Sequence, residues 1–257
     1  MNCQNYRLIT IPIRHFSEKA RWALDRLKIN YTEEPHVPVF HRIATLKYDG
    51  SSVPVLATEN HGNFVDSTDI LHYLNGIAPQ DKKLYPDIPE LRKEVEELED
   101  LFDEKLGVAV RNWGYFYKVK DRQAMRRGWC TNTPWYEQIG FIILFPFLSN
   151  LLQKKFQLTA ENAAKSLAEI QEVFDLVSQR LSDGHSYLVG DNFSAADLTF
   201  AALSAPVLMP SEHFMKPQPL SELPSEMATV IQELQATPAG NYGLRMYREE
   251  RYFSYIS

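Results

Sequence analysis

Residues 11–27, IPIRHFSEKARWALDRL, set an arginine, a histidine and a serine where an apolar, strand-like run gives way to a helix. Arg14 is permanently cationic, so it cannot serve as a base near neutral pH, but it can stabilise an anion such as a thiolate. Ser17 is a good N-cap and Glu18 follows it at the positive end of the helix dipole. A well-made helix start therefore accounts for everything except Arg14, which needs a partner at the end of a buried strand. A second stretch, VDSTDILHYL, places Asp66 and Ser67 at another helix start. Free backbone N–H groups, a hydroxyl and the dipole form a carboxylate-binding site there, unless the pair only caps the helix. In SSVPVL, Val53 and Pro54 head an apolar strand, where a proline fits either as the first residue or in a cis bond. NFSAADLTFAAL has Ser194 three positions before Asp197, with Phe193 and Leu198 alongside, a capping box with a hydrophobic staple. That box reads as structural.

The elements that must carry these residues alternate up to about residue 80. The pattern predicts a strand over Tyr6 to Ile11, a helix over Ser17 to Leu27, and a short strand around Tyr31 to Glu33. An irregular or helical piece follows, then strands at residues 53–58 and around Phe64 and Val65, and a helix from Ser67 to about Leu74. The segment GIAPQDKKLYPDIPE, with three prolines and mixed charge, reads as a linker. Beyond it the periodicity is helical: Leu91, Val95, Leu98 and Phe102 share one face, and Leu167, Ile170, Phe174, Val177 and Leu181 another. A small α/β domain followed by a larger all-α domain is expected.

Composition narrows the function classes. The 257 residues carry a net charge of −6, which argues against nucleic acid or an anionic membrane surface as the main partner, although an acidic protein can hold one basic pocket. Only Cys3 and Cys130 are present, so a disulfide framework is not expected and a reducing compartment fits better. The first residues lack a basic segment followed by a long apolar run, so no secretory signal is expected. IGFIILFPFLSNLL, at 139–152, is shorter than the roughly 20 residues of a membrane span and contains Pro146, which predicts a buried or pocket-lining segment.

Taken in this order on this plan, the motifs resemble the glutathione S-transferase superfamily. EKARWAL looks like its first-helix signature, SVPVL like its cis-proline strand, DSTDILHYL like its acidic-serine helix start, and YLVGDNFSAADLTFAAL like its capping-box helix. The resemblance implies a thioredoxin-like α/β domain over residues 1–78, a linker at 79–90 and an all-α helical bundle over 91–257. It implies glutathione as co-substrate and no metal. Val53 would pair its backbone with the cysteinyl part of glutathione, Pro54 would be cis and shape that edge, and Asp66 and Ser67 would hold the γ-glutamyl end. The family more often has glutamate at the Asp66 position. Where related sequences place a catalytic serine or cysteine, this chain has Arg14, and the tyrosine of other branches falls near Thr10; Ser17 matches a supporting position.

The acceptor substrate would lie against VRNWGYFYK, where Arg111, Trp113, Tyr115 and Tyr117 either bind a planar, apolar electrophile or fill the interdomain core. Two partners for Arg14 stay open, the sulfur of bound glutathione and an acidic side chain across the domain interface. The leading expectation is a cytoplasmic transferase or peroxidase of detoxification type, acting on small apolar electrophiles as a homodimer without a membrane span. The alternative is a non-catalytic protein binding glutathione or an apolar ligand. Thiol–disulfide exchange is weakest, because no cysteine stands at Arg14 or Ser17.

Overall fold

Short β-rich runs in the first third leave backbone edges that only a sheet can satisfy, and the chain forms one with helices packed on it. The computed structural model describes residues 5–252. In chain order the elements are β1 (Tyr6–Thr10), α1 (His15–Arg26), β2 (Tyr31–Pro35), α2 (Phe40–Leu46), β3 (Val55–Thr58), β4 (Asn63–Phe64) and α3 (Ser67–Ile77). The sheet order is β2-β1-β3-β4, with β1 parallel to β2 and antiparallel to β3, and β3 antiparallel to β4. This is the expected thioredoxin-like α/β arrangement, and the Val53–Pro54 bond is cis.

Helices follow: α4 (Pro89–Leu101), continued through a π-helical turn (Phe102–Leu106) into α5 (Gly107–Lys118), then α6 (Arg122–Trp129), α7 (Trp135–Lys155), α8 (Ala160–Arg180), α9 (Ala195–Leu208), α10 (Ser225–Ala236) and α11 (Pro238–Glu249). The chain divides into two compact units, and the division is not the simple one of sequence order. Residues 1–78 and 118–156 form the first unit; residues 79–117 and 157–257 form the second. α6 and α7 thus fold with the sheet domain. Ile13 N–H donates to Gly128 O on α6, and a side chain on Gly128 would strike Ile13. On α7, Gly140 leaves room for the Phe40 ring, whose tip a Cβ there would meet at 2.5 Å.

Two expectations need correction. Ser17 is not the N-cap of α1. The helix starts at His15, Arg14 takes the N-cap position with extended backbone, and Ser17 lies fully buried in the first turn. A turn after β1 (Arg14 N–H to Ile11 O) brings the chain round early, so tertiary packing overrides the preference for a hydroxyl at the cap. The 139–152 run is also neither short nor buried. It belongs to the 21-residue α7, long and apolar enough to cross a membrane by length and composition, and most of it is exposed. Pro146 does not break this helix; the carbonyl its missing N–H would have engaged, Ile142 O, accepts from the Arg122 guanidinium at 3.0 Å.

In the second unit α9 is the core, buried on nearly every side and packed against α4, α10 and α11. Asp197 does more there than close a capping box. Its carboxylate accepts from Ser194 N–H and Leu188 N–H at 2.7 and 2.8 Å, from the Ser194 hydroxyl at 2.7 Å, and from the Tyr242 hydroxyl on α11. Tyr242, Met246 and Tyr247 are buried, so the tail up to Glu249 packs into the bundle, while its last residues, like Cys3, lie outside the described region.

Candidate functional site

The start of α1 is held by a buried ionic network that the sequence patterns did not reveal. Arg21, one helical stretch downstream, donates through Nε and a terminal nitrogen to Glu33 on β2 at 2.9 and 2.6 Å, and to Pro12 O at 3.1 Å. Glu18 lies 3.5 Å from the same guanidinium. Because Pro12 precedes Arg14 by two residues, this network fixes the loop that presents Arg14. Burial works against the Arg21 charge, but Glu33 and Glu18 more than offset it and hold its pKa above the usual value.

Arg14 sets a positive field. Its guanidinium stands 5.5 Å from the centre of the Phe16 ring. Burial, and then the Arg14 charge ahead of Arg42, His36 and Lys155, push the His41 imidazole down to about 4. An anion placed there would meet the reverse effect, since a field that disfavours a proton on imidazole favours a negative charge. Ser17 Oγ, also in the first turn of α1, is buried and has no hydrogen-bond partner among the described residues.

α3 supplies the second cluster. Asp66 is the N-cap and accepts from Thr68 N–H at 2.8 Å; Ser67, 2% exposed, opens the helix. Lys19, fully buried on α1, donates from Nζ to Thr68 Oγ1 at 3.2 Å. A cation therefore stands within one residue of Ser67, beside helix N–H groups that already favour an anion. Lys19 was missed in the sequence, where it reads as an ordinary surface position of an amphipathic helix; no local signal could have found it.

The comparisons with known proteins now bear on this geometry. Residues 8–82 match the family described as glutathione S-transferase, N-terminal domain, and residues 141–220 match glutathione S-transferase, C-terminal domain. The chain belongs to the glutathione S-transferase superfamily. Among curated protein sequences none matches it significantly. Solved structures share its fold. The beta-etherase LigF from Sphingobium is 18% identical, over 93% of this chain and 98% of that one, with a TM-score of 0.60. A glutathione S-transferase from Methylobacterium radiotolerans, in complex with glutathione sulfonate, is 19% identical over 93% and 94%, at 0.52. FzlA from C. crescentus is 17% identical over 94% and 92%, at 0.57.

Glutathione S-transferases bind glutathione, and the residues expected to hold it, Arg14, Ser17, Val53, Pro54, Asp66 and Ser67, all fall in the first unit. Thr10, near the position of the family's alternative tyrosine, is fully buried and donates its hydroxyl proton to Glu33 at 2.6 Å. Cys130 is a buried free thiol, raised to about 11 by its burial, so it holds no appreciable thiolate at neutral pH. The four acceptor candidates lie in the second unit on α5, where helical geometry separates them into two i, i+4 pairs about 200° apart. Arg111 and Tyr115 form one pair and are half-buried. Trp113, buried, meets Tyr117 edge-on at 5.3 Å in the other, and Tyr117 reaches Glu226 at 3.5 Å.

Proposed function

We propose that this glutathione S-transferase superfamily member is a glutathione-dependent transferase or peroxidase acting on small apolar electrophiles. The observation that carries the reading is the N-terminus of α3, where buried Ser67 and the Asp66 cap stand beside the buried ammonium of Lys19. In this reading the Ser67 N–H and hydroxyl hold the γ-glutamyl carboxylate, Asp66 engages the ammonium group, and the backbone of Val53 ahead of Pro54 pairs with the cysteinyl part as an added strand.

Arg14 and Ser17 then act on the sulfur. A free thiol titrates at about 8.5, and lowering it to about 6.5 requires about 2.7 kcal/mol. A charge-assisted hydrogen bond contributes about 1.5–3 kcal/mol, so Arg14 nearly suffices, with the α1 dipole and the Ser17 hydroxyl adding the remainder. The effect of Arg14 on His41 supports that assignment. Arg111 and Tyr115 on α5 are the more accessible half of the acceptor set, because neither is fully buried whereas Trp113 is. A homodimer in a reducing, cytoplasmic compartment completes the proposal.

Calorimetric titration with glutathione, followed by turnover on a panel of electrophiles and peroxides, tests it. The ultraviolet absorbance of bound thiolate against pH, in wild type and Arg14→Met, tests the mechanism: the apparent pKa is expected to fall in wild type and to return toward the free value in the variant. One observation favours a second reading, a non-catalytic binding protein on the same fold. The Thr10 hydroxyl proton is committed to Glu33 and so is not available to a thiolate. Glutathione binding without turnover, and a thiol equally acidic in both proteins, would select it.

A further inference from the structure

α7 presents two parallel ridges. Glu137, Phe141, Phe145 and Ser149 recur every fourth residue and are buried against the first unit. Glu137 anchors this side, accepting from Val37 N–H at 2.8 Å and pairing with His36 Nδ1 at 2.6 Å. Displaced from that ridge by two residues, about 200° around the helix, runs a second: Trp135, Ile139, Ile143, Phe147 and Leu151. Every member is large and apolar, and every one is exposed, by 43% to 73%. The ridge extends about 24 Å along the helix. A contiguous apolar surface of this kind marks an interaction site.

The charge around the ridge identifies what covers it. The whole chain is net −6, yet residues 118–156 hold seven Lys and Arg against two acids, a net +5. Lys154 and Lys155 end α7, exposed Arg126 and Arg127 lie on α6, and one of the two acids is the buried Glu137. A second copy docked with its two-fold axis through this ridge would bring one such basic segment against another. An anionic bilayer complements it: the exposed Trp, Phe and Ile side chains supply the apolar contact, and Lys154 and Lys155 at the end of the same helix supply cations for the headgroups. The buried ridge, pinned to the folded unit through Glu137, keeps the helix along the surface rather than across it. We propose that α7 docks the protein onto an anionic membrane surface, with the Trp135–Leu151 ridge in the headgroup and upper acyl region.

The protein also carries its own reporter. Trp22, Trp113 and Trp129 are buried, whereas Trp135 is 73% exposed. The test is sedimentation of the full chain with phosphatidylserine-containing vesicles and with vesicles of phosphatidylcholine alone, together with tryptophan emission. Expected are partitioning at least about tenfold stronger onto the anionic vesicles, a blue shift that Trp135→Phe abolishes, and loss of binding in the Ile143→Glu, Phe147→Glu double variant. Both substituted residues are exposed, and an unchanged thermal midpoint confirms that the variant folds. Equal partitioning onto both vesicle types would overturn the proposal, as would undiminished binding in the folded double variant. So would a dimer abolished by Ile143→Glu in a protein that ignores vesicles, which would assign the ridge to a second copy. Glutathione affinity is not read in any arm.

Discussion

The starts of α1 and α9 are built from similar residues and finished in opposite ways. At α9 the N-cap is Ser194, the third helical residue is Asp197, and one carboxylate collects two backbone N–H groups and two hydroxyls from three parts of the second unit. At α1 the N-cap is a cation whose side chain caps nothing, and the third helical residue is Ser17, whose buried hydroxyl has no partner among the described residues. A helix start saturated by its own chain is a fastening. One that leaves a buried hydroxyl without a partner, behind an arginine at the N-cap, fits the sulfur site proposed for it. α3 stands between the two, capped by Asp66 and also supplied with a lysine.

The largest effect should come from the fastening. Asp197→Ala leaves Tyr242 and two backbone donors buried without their acceptor, and should cost about 3–5 kcal/mol. Denaturant unfolding measures this, and the folded fraction should keep its glutathione affinity. A loss under 1 kcal/mol, on the order of a surface substitution, would remove the contrast with α1. Next is Ser67→Ala, which should weaken glutathione binding roughly tenfold to a hundredfold, equivalent to about 1.5–3 kcal/mol, with little change in melting temperature. An unaltered dissociation constant by calorimetry would move the carboxylate elsewhere. Ser194→Ala should lower stability by about 0.5–2 kcal/mol and leave affinity alone.

Protonation of His41 reads the field at α1 directly. His41, at about 4 in the folded protein against 6.5 as its ordinary value, takes up a proton more readily when unfolded. Its contribution to stability is therefore intact above pH 6.5 and is lost as pH falls from there toward 4. His41→Gln should flatten that part of the stability curve. In Arg14→Met, the His41 resonance should titrate higher by about half a pH unit or more. An unmoved His41 would leave its shift to burial and to Arg42, His36 and Lys155, and deprive α1 of its field.

The sequence carried the fold because its signals are local. Alternation marked the strands, Asp66 and Ser67 marked the start of α3 to the residue, and the Ser194 and Asp197 spacing marked α9. What stayed hidden depends on distant pairs: Arg21 with Glu33, Lys19 with Thr68, and His36 with Glu137 across a hundred residues. Ser17 misled because a hydroxyl before a periodic run is the commonest cap signal, and the early turn after β1 made it an interior residue. In α7 the apolar residues surround the helix, so periodicity could not tell which face meets protein. The aromatic residues of α5 looked like one cluster in the sequence and are two on the helix.

The discontinuity of the first unit sets an order on biosynthesis. Ile13, Val37 and Phe40 leave the ribosome early, but the glycines and the glutamate that receive them are made only with residues 128–140. At bacterial or eukaryotic elongation rates, the stretch from Ala78 to Phe156 adds about 4–16 s of synthesis. During that interval the nascent sheet domain lacks the partners of Ile13, Val37 and Phe40, and a fragment cut at residue 78 would stay in that state for good.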